Sequence, residues 1–222
     1  MVTTRPTAGN DATDGHFAHR EERPIMSDGT TDAEQRRPDG GDNATEQPLV
    51  EVVHATGHEH VTAEHPSTIE FTTDDWLTPA GDCIVGVDAD SAPRSFSSAF
   101  RAACQDAEAT ITATIAVGEP PDANADPADV ATAPTPDPAT APYVETIQGR
   151  GDPGLALVDD RSMVGRTSDY TDDERTIFVA GDGAAADLDR DLVEALSAGA
   201  PVTLRLVVTE NSRRKPRPSG RG

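Results

Sequence analysis

The chain is poor in aromatic side chains and in cysteine. Of its 222 residues only 4% are Phe, Trp or Tyr, and 35% are hydrophobic. This is too little apolar material for a core that runs the whole length, so part of the chain is expected to be disordered. Its two cysteines, Cys83 and Cys104, do not form a CxxC pair. The sequence therefore excludes a disulfide scaffold and a four-cysteine zinc site.

Long apolar runs are also missing. No run approaches the roughly 20 residues that a membrane helix needs. Residues 1–20 contain no apolar stretch typical of a secretion signal. We therefore expect a soluble cytoplasmic protein without a membrane partner, translated from either Met1 or Met26.

Basic residues are scarce, and only one of them is a lysine. Eighteen bases against 40 acids give a formal net charge of -22. This balance argues against nucleic acid as a partner. The acids are dispersed rather than grouped in blocks. A dense carboxylate surface with arginine in place of lysine is typical of halophilic proteins, in which molar salt shortens electrostatic screening to about 3 Å.

Composition separates one domain from its tails. Residues 1–47, which are acidic, and 211–222, which are basic, lack apolar periodicity and are expected to be disordered tails. Residues 48–210 are expected to form a single β-rich domain. Within it, residues 119–142 contain 7 Pro, 7 Ala and no aromatic residue. This composition predicts a disordered insertion that joins two strands.

Apolar periodicity predicts the secondary structure of the domain. Strict alternation predicts strands at 110–117 and 202–208. Helical spacing predicts one helix behind Ser95, its expected N-cap, and a second from about Ala184 to Ser197, with Asp182 as its expected cap. Shorter strands are predicted elsewhere, among them His60–His65 and Leu155–Val158. The pattern favours a mostly β, antiparallel sandwich of about nine strands with two packed helices, with an α+β fold as the alternative.

Histidines crowd residues 54–65, and carboxylates and a cysteine follow them. Imidazole, thiolate and carboxylate are ligands of zinc and iron. The candidate metal ligands are His58, His65 and Cys83, and the candidate catalytic carboxylates are Asp82 and Glu70. Shared parity with apolar neighbours places His65 and Cys83 close together on adjoining strands. Their spacing matches no standard zinc finger or HExxH helix, so we do not favour a bound metal.

Four stretches of the sequence carry recognisable motifs: GHEHVTAEHPSTIEFT (57–72), LTPAGDCIVGVDAD (77–90), SMVGRTSDY (162–170) and RTIFVA (175–180). Together they resemble a known archaeal family, the domain of unknown function 371, in a haloarchaeal-type member. The resemblance implies a β-rich, jelly-roll-like fold and no particular activity. The chain departs from the family at Gly183, where a lysine is usual. The residues that match the family pattern are His58, His65, Thr68, Glu70, Gly81, Asp82, Cys83, Gly86, Ser162, Arg166, Ser168, Arg175 and Thr176.

These residues leave three functions open. The leading hypothesis is a binding domain for a small anionic molecule, held by Arg166, Arg175, Ser162 and Ser168, because guanidinium groups suit phosphate and carboxylate. The second is a metal-dependent enzyme that uses the His/Cys/Asp/Glu cluster. The third is a structural or assembly subunit. A purely structural interpretation makes His65 a core histidine and the two cysteines small buried hydrophobes.

Overall fold

The computed structural model describes residues 48–122 and 134–209. The predicted tails, 1–47 and 211–222, and the middle of the predicted insertion lie outside the described residues. Two helices, α1 (Ser98–Cys104) and α2 (Arg190–Ser197), each follow a short 3-10 turn. The strands are β1 (Leu49–Thr56), β2 (Thr68–Thr72), β3 (Ile84–Gly86), β4 (Thr110–Val117), β5 (Tyr143–Arg150), β6 (Ser162–Arg166), β7 (Thr176–Phe178) and β8 (Pro201–Thr209).

The eight strands form two sheets. The first sheet has the order β1-β8-β4-β5 and is antiparallel throughout. The second sheet has the order β3-β2-β6-β7, with an antiparallel pair at its centre and parallel pairs at both edges. One hydrophobic core takes side chains from both sheets and both helices. Neither helix of the described residues is long and apolar enough to cross a membrane.

The mostly β class with two helices is confirmed, whereas the strand count and the jelly-roll-like arrangement are not. The described residues contain eight strands, and the second sheet is mixed rather than antiparallel. His60–His65 and Leu155–Val158 form no strands, because Ala63 and Leu157 adopt positive φ angles of 48° and 53° and break the extended backbone. Both side chains are nevertheless fully buried. Apolar residues that are buried on irregular backbone thus alternate in the sequence in the same way as those of a strand.

The helices begin later than the sequence predicted. Ser97 rather than Ser95 caps α1, and its side chain accepts a hydrogen bond from the backbone N–H of Phe100. Asp189 rather than Asp182 caps α2, through the N–H groups of Asp191 and Leu192. Both differences arise because a 3-10 turn precedes each helix. The turn also buries apolar residues, so the apolar pattern in the sequence begins before the helix itself.

The described residues form two halves with the same order of elements, an internal duplication that the sequence analysis did not predict. The first half, residues 49–117, and the second half, residues 143–209, share the order strand, strand, strand, 3-10 turn, helix, strand. The isolated bridge Thr56–Val87 recurs as Arg150–Val179. The positive φ angles recur in the same way, at Ala63 and Leu157 and again at Asp88 and Ala180. The halves are therefore related by a pseudo-two-fold axis that passes between β2 and β6.

The two halves interlock. In the first sheet their strands alternate, because β8 of the second half lies between β1 and β4 of the first. The helices also cross over. A Cβ atom on Gly57 would lie 2.0 Å from the carbonyl oxygen of Leu196 in α2, and one on Gly151 would lie 2.4 Å from that of Cys104 in α1. Each glycine lets a strand end lie against the helix of the other half.

Candidate functional site

The second sheet carries a polar face opposite the core. On β2 the core takes Ile69 and Phe71, so the alternate residues, Thr68, Glu70 and Thr72, lie on the other face. Glu70 is nevertheless only 7% exposed. It pairs across the pseudo-two-fold axis with Val164 of β6. A carboxylate thus lies nearly buried at the centre of this sheet, where it needs partners.

Glu70 has two side-chain partners, one from each half. Its Oε1 accepts a hydrogen bond from Nη1 of Arg175 at 2.9 Å. Its Oε2 lies 3.5 Å from the Cys83 thiol, which donates to it. Burial, together with the charge of Glu70, raises the pKa of the Cys83 thiol to about 11. The thiol is therefore protonated at neutral pH and donates to Glu70, while Arg175 neutralises the carboxylate.

A cleft of about 370 Å³ opens beside this pair, and we call it the cleft. Its walls come from both halves. The first half supplies Glu70, Thr72, Asp74 and Ile84, and the second supplies Asp159, Arg161, Ser162 and Arg175.

The turn before β6 fixes three of the wall residues. Oδ1 of Asp159 accepts hydrogen bonds from the backbone N–H groups of Arg161 and Ser162, both at 2.8 Å. Arg161 then reaches across to an ion pair with Asp74 of the first half. Ser162 Oγ lies 3.5 Å from Nη1 of Arg175. The two arginines and the serine hydroxyl therefore converge on one cleft.

Two of the four predicted ligand-binding residues, Ser162 and Arg175, line the cleft, and Arg166 and Ser168 do not. Arg166 is 14% exposed in its side chain and is bound by protein groups. It donates to Thr176 Oγ1 at 2.8 Å and to Asp173 Oδ2 at 2.5 Å, and it stacks on the ring of Tyr170.

The predicted metal ligands do not converge. His58 Nδ1 accepts from the backbone N–H of His60. His65 Nδ1 accepts from the N–H groups of Ser67 and Thr68, at 3.3 and 3.2 Å, so its proton lies on Nε2. Thr68 lies between His65 and Cys83, since its hydroxyl lies 2.8 Å from His65 Nδ1 and also contacts the thiol. Within 48–122 and 134–209, no three His, Cys, Asp or Glu side chains are arranged to hold a metal ion.

The two candidate catalytic carboxylates lie in different surroundings. Glu70 lines the cleft, whereas Asp82 does not. The backbone carbonyl of Asp82 accepts from the N–H groups of Glu64 and His65. Gly183, the position at which the resemblance led us to expect a lysine, lies in a separate cleft of about 160 Å³ with Glu145, Asp182 and Asp187, and none of the described residues that line that cleft is basic.

Sequence reasoning missed Asp74, Asp159 and Arg161. Their signal was weak, because in so acidic a chain isolated charges are typical of solvated surface. Comparison of equivalent positions in the two halves indicates one of these residues, Asp159, more clearly. His65 occupies in the first half the place of Asp159 in the second, and each caps two consecutive N–H groups at the start of a strand.

Comparison with known proteins places this fold in a family. The model described as "Domain of unknown function (DUF371)" matches residues 53–132 and 135–209. The chain belongs to this family. It is also similar to the Uncharacterized protein MJ0206 of Methanocaldococcus jannaschii, with 29% identity over 157 residues, which are 71% of this chain and 98% of the relative. The DUF371 match includes residues 53–117 of the first half and all of the second half, and therefore every residue that lines the cleft.

Proposed function

We propose that this DUF371 domain binds a small molecule through an anionic group, a carboxylate or a phosphate, held between Arg161 and Arg175. The observation that carries the proposal is the convergence of these two arginines, with Ser162, on one cleft of about 370 Å³. Guanidinium groups present forked donors that match both anions. A cavity of this size also falls in the range of small-molecule sites, about 300–1,000 Å³.

Both arginines retain donors for a ligand. In hydrogen bonds among the described residues, Arg161 uses only Nη2, toward Asp74, and Arg175 uses only Nη1, toward Glu70 and Ser162. Nε of Arg175 also lies 3.9 Å from Asp173 Oδ2, so the donors that remain available are Nη2 of Arg175 and Nε and Nη1 of Arg161. An anion between the two guanidinium groups can therefore accept from both without breaking either ion pair.

The groups that would hold the ligand are fixed in advance. The buried Glu70 orients Arg175, and Asp159 orients the backbone at Arg161 and Ser162. Preorganisation of this kind reduces the entropy lost on binding. Binding is favoured over nucleophilic catalysis, because the nearby Cys83 thiol, with its pKa raised to about 11, is protonated at neutral pH.

We further propose that the domain is adapted to molar salt, as in a haloarchaeal-type family member. The net charge of -22 and the single lysine support this. At about 0.1 M salt the screening length is about 10 Å, so neighbouring carboxylates within that distance repel each other. Binding should therefore be measured at high and constant ionic strength.

The test uses the full chain in about 2 M KCl, where screening is short, with inorganic phosphate, acetate and glutarate as probes. We expect at least one probe to raise the melting temperature and to give a saturable signal in isothermal titration calorimetry. Arg161→Gln should abolish that signal. This variant should fold normally, because the Arg161 side chain is 66% exposed.

The matched control is Arg94→Gln. Arg94 donates to the backbone carbonyl of Val158 and does not line the cleft, so its loss should leave probe affinity unchanged. Equal probe affinity in the wild type and Arg161→Gln would contradict the proposal, and so would saturable binding of none of the three probes.

A further inference from the structure

We infer that the ligand of the cleft also carries a cationic group, so that it is a zwitterion of the amino-acid type. This inference rests on the proposed function and specifies its ligand class. The ligand anion lies between Arg161 and Arg175, and its ammonium group lies against Asp159, which also lines the cleft.

The charges of the cleft support two opposite groups on the ligand. Three carboxylates, Glu70, Asp74 and Asp159, face two guanidinium groups, Arg161 and Arg175. Each guanidinium already has an acidic partner. A ligand with only negative charge would enter a lining that is itself net negative. A ligand with an ammonium group removes this penalty, because it gives the excess carboxylate an opposite charge.

Asp159 is the group that fits the ammonium. Its Oδ1 is used by two backbone N–H groups, but its Oδ2 accepts no hydrogen bond from the described residues. Capping alone does not need a charge here. At the equivalent place in the first half, a neutral His65 nitrogen caps Ser67 and Thr68. The second half therefore has a carboxylate where the fold accepts a neutral acceptor, and this carboxylate lines the cleft.

The region that the pseudo-two-fold axis relates to the cleft has a different set of side chains. The positions that correspond to Glu70, Arg161 and Arg175 hold Val164, Ser67 and Cys83, as the equivalent strand pairings show. None of these three side chains is charged at neutral pH, because the raised pKa of the Cys83 thiol keeps it protonated. Arg166 occupies the place of Thr72 in that region, but its guanidinium is only 14% exposed and is bound by Asp173 and Thr176. The cleft is therefore the side of the axis on which two more exposed guanidinium groups meet a carboxylate oxygen, Asp159 Oδ2, that accepts no hydrogen bond from the described residues.

The experiment compares ligands that differ only by an ammonium group, with the full chain in about 2 M KCl. The pairs are L-alanine with propionate and L-glutamate with glutarate, measured by isothermal titration calorimetry. We expect the amino acid of at least one pair to bind about tenfold tighter, as a charge-assisted hydrogen bond provides. Asp159→Asn should remove that advantage and leave the affinity for the carboxylate unchanged.

Asp159→Asn keeps an oxygen that can cap the two N–H groups, so the turn should persist, which its melting temperature will check. The matched control is His65→Asn, the same capping substitution outside the cleft, which should leave all affinities unchanged. Equal affinities within both pairs, with carboxylates still lost in Arg161→Gln, would overturn the zwitterion and leave the proposed function intact. Binding of neither member of either pair would overturn the zwitterion, and it would overturn the proposed function as well if inorganic phosphate also fails to bind. An ammonium advantage that survives in Asp159→Asn would overturn the role of Asp159.

Discussion

The Glu70–Arg175 ion pair should respond very unequally to removal of its two members. The side chain of Glu70 is 9% exposed, whereas that of Arg175 is 41% exposed. When Arg175→Ala removes the guanidinium, a buried carboxylate keeps only the Cys83 thiol as a partner. Breaking a buried pair in this way costs about 3–5 kcal/mol of unfolding free energy. Glu70→Gln leaves a guanidinium that water already reaches, and should cost about 1–2 kcal/mol.

The pseudo-two-fold axis shows which side chain can replace the glutamate. Val164 occupies the equivalent place in the second half and is 1% exposed. The double variant Glu70→Val/Arg175→Ala should therefore be more stable than Arg175→Ala alone, because no buried charge remains. We expect a coupling free energy of about 2 kcal/mol between the two positions.

Urea unfolding at constant molar KCl measures these differences, with circular dichroism as the signal and linear extrapolation to water. The reasoning is refuted if Arg175→Ala and Glu70→Gln cost the same, or if both cost less than about 0.5 kcal/mol, as an exposed surface pair would. It is also refuted if the double variant is less stable than Arg175→Ala.

Four further results are expected. Coexpressed fragments 1–130 and 131–222 should form one folded complex, whereas each alone should lack a cooperative transition by circular dichroism, because the first sheet alternates strands of both halves. Burial alone would raise the pKa of Asp173, but hydrogen bonds from Thr176 and the Arg166 guanidinium outweigh it and lower the pKa. The stability this provides is present above the unfolded value of 3.8 and is lost as pH falls through the lower folded value. Asp173→Asn should therefore destabilise more at pH 6 than at about pH 2, and an equal loss at both pH values would exclude this linkage. The rate at which a thiol reagent labels Cys83 should rise with pH with a midpoint at about pH 11, because only the thiolate reacts. Glu70→Gln should lower this midpoint, because it removes a nearby negative charge. Melting temperatures should fall from molar to about 0.1 M KCl, and equal values would show that the carboxylates do not reflect salt adaptation.

Much of the secondary structure could be predicted from the sequence, because many elements bury only one face. Ile111 and Ile115 alternate with threonines, and the structure places both in the core from the central strand β4. Leu192 and Leu196 recur at helical spacing and lie buried on α2. Periodicity worked at these places because each element has one buried face and one wet face.

The duplication did not follow from the sequence, because different residues do the same work in the two halves. A histidine caps one turn and an aspartate caps the other. The clearest shared signal is V-D-A-D-S-A at 87–92 against V-A-G-D-G-A at 179–184. In both copies the aspartate accepts a hydrogen bond from the backbone of a strand. Asp90 accepts from the backbone N–H of His54, and Asp182 accepts from that of Gln148.

The candidate site was predictable only in part. Glu70, Ser162 and Arg175 were named from the sequence, and the structure brings them together. Arg161 and Asp74 were not named, because their pairing depends on the antiparallel contact between β2 and β6. No local pattern carries information about a contact of that sequence separation.

Comparison of the two halves separates what the fold requires from what it does not. A residue that the fold requires should have a counterpart, as Asp90 has in Asp182. Glu70 has no such counterpart, since the fold accepts a fully apolar Val164 in its place. Burial of a carboxylate where valine suffices costs desolvation energy, which the ion pair with Arg175 only offsets. Stability therefore does not account for the charged residues of the cleft, whereas the ligand recognition that we propose would give a reason for them.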